Sequence, residues 1–182
     1  MAITKKKKRF FEVEIPIINK QTQLQAYELE ELNGRNIIYD LTRILKGKNL
    51  IMSFQIKIEE GKAIASPKKV QLLPCYIRRM MRKGTNYVED SFVAQSKDNQ
   101  VRIKPFLITR RKVSRQVRKA LRNKAKEELV EYSKGKTSEE FFEDLMRNTL
   151  QRELSLKLKK IYPLSLCEIR ILAIENPRKR GE

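Results

Sequence analysis

Apolar and polar residues alternate with a period of two along most of the first half of the chain, and with a helical period along most of the second. From Phe10 the run FEVEIPII, and then Leu24 to Leu29, read as half-buried strands, with Asn33-Gly34 as the turn that follows. Arg35 to Leu45 and Asn49 to Ile58 repeat the strand signal around a turn at Lys46-Gly47-Lys48. Residues 59–62 close a hairpin onto a strand from Ala63 to Leu73, where Pro67 calls for an edge or a bulge. Tyr87 to Gln95 and Val101 to Ile108 form two further strands joined by a polar turn at 96–99.

Between these strands Pro74 opens a short helix, with Ile77, Met80 and Met81 on one face and Arg78, Arg79 and Arg82 on the other, and Gly84 as its stop. The two methionines are expected in the core. Ser114 to Tyr132 and Thr137 to Lys160 are helical in period; Ser114 suits an N-cap, and Thr137-Ser-Glu-Glu140 reads as a capping box. After Pro163, Leu164 to Ile174 returns to strand. The order predicts an α+β fold: an antiparallel β-rich body of about seven or eight strands, expected to close as a barrel, then a C-terminal helical region and a closing strand. It reads as one domain over residues 10–175, with a basic arm at 1–9 and a basic tail at 176–182, both expected to be mobile without a partner.

Composition narrows the chemistry. The chain has 182 residues, 40% of them hydrophobic, enough to build one core. No apolar run approaches the roughly 18 residues of a membrane span, and MAITKKKKRFF lacks the apolar stretch of a signal peptide, so a cytoplasmic protein is expected. Cys75 and Cys167 have no metal-ligand spacing and are expected as small core residues. The absence of His removes the usual general base, and the six glycines form no phosphate-cradling loop. No cofactor, metal site, catalytic residue or small-molecule substrate is therefore expected.

Charge supplies the positive evidence. With 41 Lys and Arg against 22 Asp and Glu, the net charge is +19, which favours a polyanionic partner, nucleic acid above all, over a membrane surface. Nine of the seventeen residues from Arg110 to Lys126 are basic and none is acidic. Arg115, Arg118 and Arg122 share one face of the predicted helix, with Lys119 and Lys126 nearby, while Val117, Leu121, Ala125 and Leu129 form the stripe that packs inward. Like charges at these spacings, and cations in a first helical turn, disfavour the free helix; a phosphate backbone beside them reverses both effects. Arg110, Arg111 and Lys112 lead into this segment. Arg78, Arg79, Arg82 and Lys83 form a second cluster, and Lys5, Lys6, Lys7, Lys8 and Arg9, with Arg178, Lys179 and Arg180, mark the two ends.

Phe10, Phe11, Tyr76 and Tyr87 lie near these cations and either fill the core or stack on unpaired bases. The acids that follow, Glu127, Glu128, Glu131, Glu139, Glu140, Glu143 and Asp144, should face away from nucleic acid, toward solvent or a basic protein neighbour. Two alternatives to a structural RNA-binding module stay open at this point: an RNA-modifying or RNA-processing enzyme using Asp40 or Glu89 and Asp90, and a nucleic-acid-compacting architectural protein. Asp40 is the carboxylate whose strand-like surroundings could raise its pKa.

The ordered segments GRNIIYDLTRI, KNLIMSFQI, RRMMRKGTNYVEDSF, VRIKPFLITRRKVSRQVRKALR and IYPLSLCEIRILAIE resemble, in order and spacing, the S-three-A (eS-one) family of archaeal and eukaryotic ribosomal proteins, over about Phe10 to Glu175. The resemblance implies a structural protein of the small ribosomal subunit, located on its platform near the messenger exit. There it would hold ribosomal RNA, touch neighbouring small-subunit proteins and approach messenger RNA, with no enzymatic activity. The chain lacks the long basic ends of eukaryotic members, so an archaeal-type form is expected.

Overall fold

A computed structural model describes residues 7–45, 47–59 and 61–175. Among the described residues nine strands and four α-helices follow one another as β1 (Arg9–Ile15), β2 (Lys20–Ala26), β3 (Asn36–Asp40), β4 (Leu50–Glu59), β5 (Lys62–Leu72), α1 (Pro74–Met80), β6 (Tyr87–Glu89), β7 (Phe92–Gln95), β8 (Gln100–Thr109), α2 (Arg115–Lys134), α3 (Ser138–Arg147), α4 (Thr149–Leu158) and β9 (Leu164–Glu175). The fold is α+β, as the periodicity predicts. The chain divides into two compact units, Met1–Tyr39 with Met52–Lys68, and Asp40–Ile51 with Lys69–Glu182.

In the first unit β1 and β2 pair antiparallel from Arg9↔Ala26 to Ile15↔Lys20, and β1 also runs parallel to β5 at Val13↔Ala63 and Glu14↔Ile64. Val13, Ile15, Ala26, Met52, Phe54, Ile56, Ala63 and Ala65 form its buried set. Gly34 takes φ +78° in the turn before β3, a left-handed conformation that a side chain would strain. Pro67 is buried, and after it the inward alternation of β5 slips by one, from residues 63, 65 and 67 to Val70 and Leu72. The irregularity that Pro67 calls for is therefore present.

In the second unit β8 is the central strand. It pairs with β9 along its whole length and, on its other edge, with β7 at Phe92↔Ile103 and β6 at Val88↔Leu107. Residues 105–109 are all buried, with β9 paired along one edge of this end of β8 and β6 along the other. α2 packs on β6 and β7, and α3 and α4 pack on each other and on β9. Leu121, Ala125 and Leu129 of α2, Phe141, Phe142 and Leu145 of α3, and Leu150, Leu154 and Leu158 of α4 are buried, at helical spacing. Each large apolar side chain among them contributes about 1.5–3 kcal/mol of transfer free energy.

The expected barrel does not form. The strands hydrogen-bond in the order β2-β1-β5-β9-β8-β6, with β4 on β5, β3 on β4 and β7 on β8, as an open mixed sheet of nine strands. Among the described residues β2, β3, β6 and β7 each pair with one strand alone, and β2, with the sequence KQTQLQA, buries only Ala26. At the other end α2 covers β6 and β7 in place of a further strand. The shorter-range departures have equally local causes. The strand expected over 35–45 stops at Asp40, whose carboxylate accepts hydrogen bonds from the Thr42 backbone N–H and hydroxyl and turns the chain. The strand expected over 87–95 breaks at Asp90, which accepts from the Ser91 N–H.

The helix expected over 137–160 is two helices. Asn148 adopts φ +59°, caps the end of α3 through its backbone N–H and starts α4. α1 stops at Met80, before Gly84, because Arg82 to Thr85 form a separate turn closed by Thr85 on the Arg82 carbonyl, and Gly84 serves that turn at φ +83°. Met81 is consequently exposed and Met80 half-buried, so neither is the core residue expected. Cys75 is also exposed, on the outer face of α1, while Cys167 is half-buried, with its thiol pushed up to about 12 by burial and by neighbouring Glu168.

Candidate nucleic-acid interface

The interface is built around the first turns of α2. Ser114 caps the helix, its hydroxyl accepting from the Val117 N–H, and no acid stands in the first turn. Leu121 is buried and Val117 half-buried, which fixes the rotation of the helix and leaves Arg115, Lys119 and Arg122 exposed and Arg118 half-buried. The structure thus brings Arg115, Arg118, Lys119 and Arg122 together, around a cleft of about 380 Å³ that is completed by Tyr87, Val88 and Asn123.

Asn86 holds the opposite side of the cleft in place. Its side-chain carbonyl accepts from the Val113 N–H at 2.9 Å, its main-chain carbonyl accepts from the Thr109 N–H and hydroxyl, and its own N–H donates to the Thr109 hydroxyl. The turn carrying Arg82 and Lys83 therefore leads directly into the residues that anchor Arg110 to Lys112 at the start of α2. Arg82, Lys83, Arg110 and Arg111 are exposed. Among the described residues, Arg82, Lys83, Arg110, Arg111, Lys112, Arg115, Arg118, Lys119 and Arg122 make no ion pair with a carboxylate. Lys126, further along the helix, lies over the Phe92 ring at 5.9 Å.

Arg78 is exposed, but Arg79 is occupied structurally. Its guanidinium donates to the Gly47 carbonyl and the Asn49 side chain, both at 3.1 Å, and lies over the Tyr76 ring, which is buried rather than available for stacking. In the other unit Lys7, Lys8 and Arg9 are exposed, with Lys8 over the Tyr27 ring and Phe10 exposed next to them, while Phe11 is half-buried. Lys5, Lys6, Arg178, Lys179 and Arg180 lie outside the described residues. Of the contributors that sequence reasoning did not single out, Asn123 lies one turn beyond Lys119 on the same face and was open to that inference. Asn86 and Val88 carry no signal that distinguishes them from ordinary loop and strand residues.

The acids after Lys126 are engaged within the protein more than offered to a neighbour. Glu128 accepts from Lys157 and pairs with Lys124, and hydrogen bonds from these two ammonium groups hold its carboxyl below the usual range. Thr137 and Glu140 form the capping box, and Glu143 pairs with Arg147. Burial acts to raise the pKa of Asp144, but hydrogen bonds from Lys136 and Tyr132 outweigh it and the net shift is downward.

The carboxylates considered for catalysis are likewise accounted for. Asp40 is exposed and its pKa is lowered by the Thr42 hydroxyl and N–H, so its surroundings do not raise it and it serves as a satisfied turn aspartate. Both oxygens of Glu89 accept from Arg170, at 3.0 and 3.2 Å. No helix among the described residues is long and apolar enough to cross a membrane.

Comparison with known proteins fits this geometry. Residues 4–177 match the model of the Ribosomal S3Ae family. The chain belongs to that family. It is 29% identical to the small ribosomal subunit protein eS1 of Nanoarchaeum equitans over 183 residues, covering 96% of this chain and 92% of the relative. The protein of the same name from Pyrobaculum aerophilum is 32% identical over 152 residues, 81% of this chain and 69% of the relative. The one from Methanothermobacter thermautotrophicus is 33% identical over 100 residues, 54% and 51% of the two chains. The chain is accordingly a structural ribosomal protein of the small subunit, acting in translation and not as an enzyme, and these relatives are archaeal.

Proposed function

We propose that the chain binds small-subunit ribosomal RNA through the basic face of α2 and the turns that meet at Asn86, chiefly by phosphate contacts. The observation that carries this reading is the set of cations there without a carboxylate partner, concentrated at the helix end where the backbone dipole disfavours them. Arginines arranged along one helix face suit the bidentate geometry of phosphate oxygens. The family resemblance supports a place on the platform of the subunit, near the messenger exit and beside neighbouring ribosomal proteins.

The test replaces Arg115, Arg118 and Arg122 together by Gln. The melting temperature is expected to hold or rise slightly as like-charge repulsion is relieved, while affinity for ribosomal RNA falls by about tenfold or more. Val117→Ser with Leu121→Ser should act in the opposite way, lowering the melting temperature through loss of core packing. A triple variant that unfolds yet keeps its affinity per folded molecule would show that the arginines serve the fold instead.

A further inference from the structure

The cleft beneath those arginines has a shape that phosphate binding alone does not require. It is concave, and its volume of about 380 Å³ lies within the range of roughly 300–1,000 Å³ seen for sites that enclose a small molecule. One wall is the Tyr87 ring, 57% exposed, yet held in place by Phe106 behind it, with ring centroids 6.2 Å apart and planes 27° from parallel. Phe106 is itself buried, and β6 fixes the Tyr87 backbone by pairing it with Ile108. Most of the remaining lining is cationic, from Arg115, Arg118, Lys119 and Arg122. Within it the Nε of Arg118 is out of solvent and has no hydrogen-bond partner, so a guanidinium donor is desolvated with nothing to receive it.

Resting on the phosphate-binding reading above, we propose that this cleft receives one extrahelical nucleotide of RNA, its base stacked on Tyr87 and its phosphate against Arg118 and Arg122. A continuous duplex keeps its bases inside and presents a convex backbone, which can cross the rim of the cleft but cannot fill it. A bulged or splayed nucleotide fills it with both the π-face that Tyr87 needs and the acceptor that Arg118 lacks. The Asn123 amide at the edge of the cleft can donate and accept, so it suits a base edge without dictating which base. Tyr87 is a stacking platform here, and Asn86 positions it.

The experiment compares two hairpin RNAs, identical except that one carries a single bulged adenosine, binding at matched salt to the full chain, to Tyr87→Phe and to Tyr87→Leu. Leu keeps apolar cover over Phe106 and removes the π-face. The bulged RNA is expected to bind the unaltered chain and Y87F about tenfold more tightly than the paired RNA, and Y87L should lose that preference while keeping its affinity for the paired RNA. The Tyr87 ring-proton resonances should move upfield with the bulged RNA only. Equal affinity of the unaltered chain for the two RNAs, or a preference that survives in Y87L, overturns the nucleotide pocket and leaves phosphate binding by α2 standing. Failure of both RNAs to bind overturns the two readings together.

Discussion

Lys48 shows how a single side chain can hold distant parts of one unit in register. It lies in the turn before β4, yet its ammonium donates to Glu168 on β9 at 2.6 Å and to the Asn148 side chain, between α3 and α4, at 2.8 Å. Both members of the ion pair are about nine-tenths buried. Removing one partner of such a pair strands the other charge in a poorly solvated place, a cost of about 3–5 kcal/mol, whereas replacing both by apolar groups of similar size is often close to neutral. Lys48→Met is therefore expected to lower the urea-unfolding free energy by about 3–5 kcal/mol, and Lys48→Met with Glu168→Leu to recover most of that loss. A double variant no better than the single one would assign the loss to the bond with Asn148. None of this was legible in the sequence, where Lys46-Gly47-Lys48 reads as a solvated turn; a burial that depends on partners a hundred residues away leaves no local pattern.

At the scale of elements, what the sequence made legible is what local physics decides. Ser114 and the Thr137–Glu140 box set two helix starts, and the Val117, Leu121, Ala125, Leu129 stripe set which face of α2 turns inward and hence which arginines meet. The break at Asn148 was missed because the apolar period continues through it, although Asn is among the residues that adopt the left-handed conformation that ends a helix. The junction of α2 with α3 depends on a partly buried network in which Lys136 donates to both Asp144 and the Tyr132 hydroxyl, raising the lysine pKa, first through Asp144 and then through Tyr132. Asp144 has a folded pKa below its ordinary 3.8, so the unfolded chain takes up its proton first as pH falls. Its stabilising contribution is complete above that value and is lost as pH drops through the lowered one. Asp144→Asn should cost about 1–2 kcal/mol at neutral pH and flatten the acid limb of a stability profile, so that the variant and the parent converge in strong acid. Parallel profiles with a constant gap would place the cost in packing.

For the whole molecule the sign of the charge matters more than any one interaction. A net +19 on 182 residues works against compaction in low salt and is relieved by a polyanion, so the conditions that favour the free protein and those that favour its complex diverge. The distribution sharpens this: Glu127, Glu128, Glu143 and Asp144 are engaged by Lys124, Lys136, Arg147 and Lys157, and the cations of α2 before Lys124 have no carboxylate partner among the described residues. Added salt should consequently raise the melting temperature of the free protein while weakening its hold on RNA. If the cations of α2 and the Asn86 turns neutralise six to ten phosphates, affinity should fall by roughly a thousandfold to a hundred-thousandfold between 50 and 200 mM salt. The Arg115, Arg118, Arg122 triple Gln variant should show a shallower slope of log affinity against log salt, by about 0.7–0.9 for each phosphate that it no longer neutralises. Isothermal titration across that range for the parent and the variant checks both figures. An unchanged slope in the variant would move the phosphate-binding surface away from α2, and a flat titration in the parent would remove phosphate binding as the source of affinity.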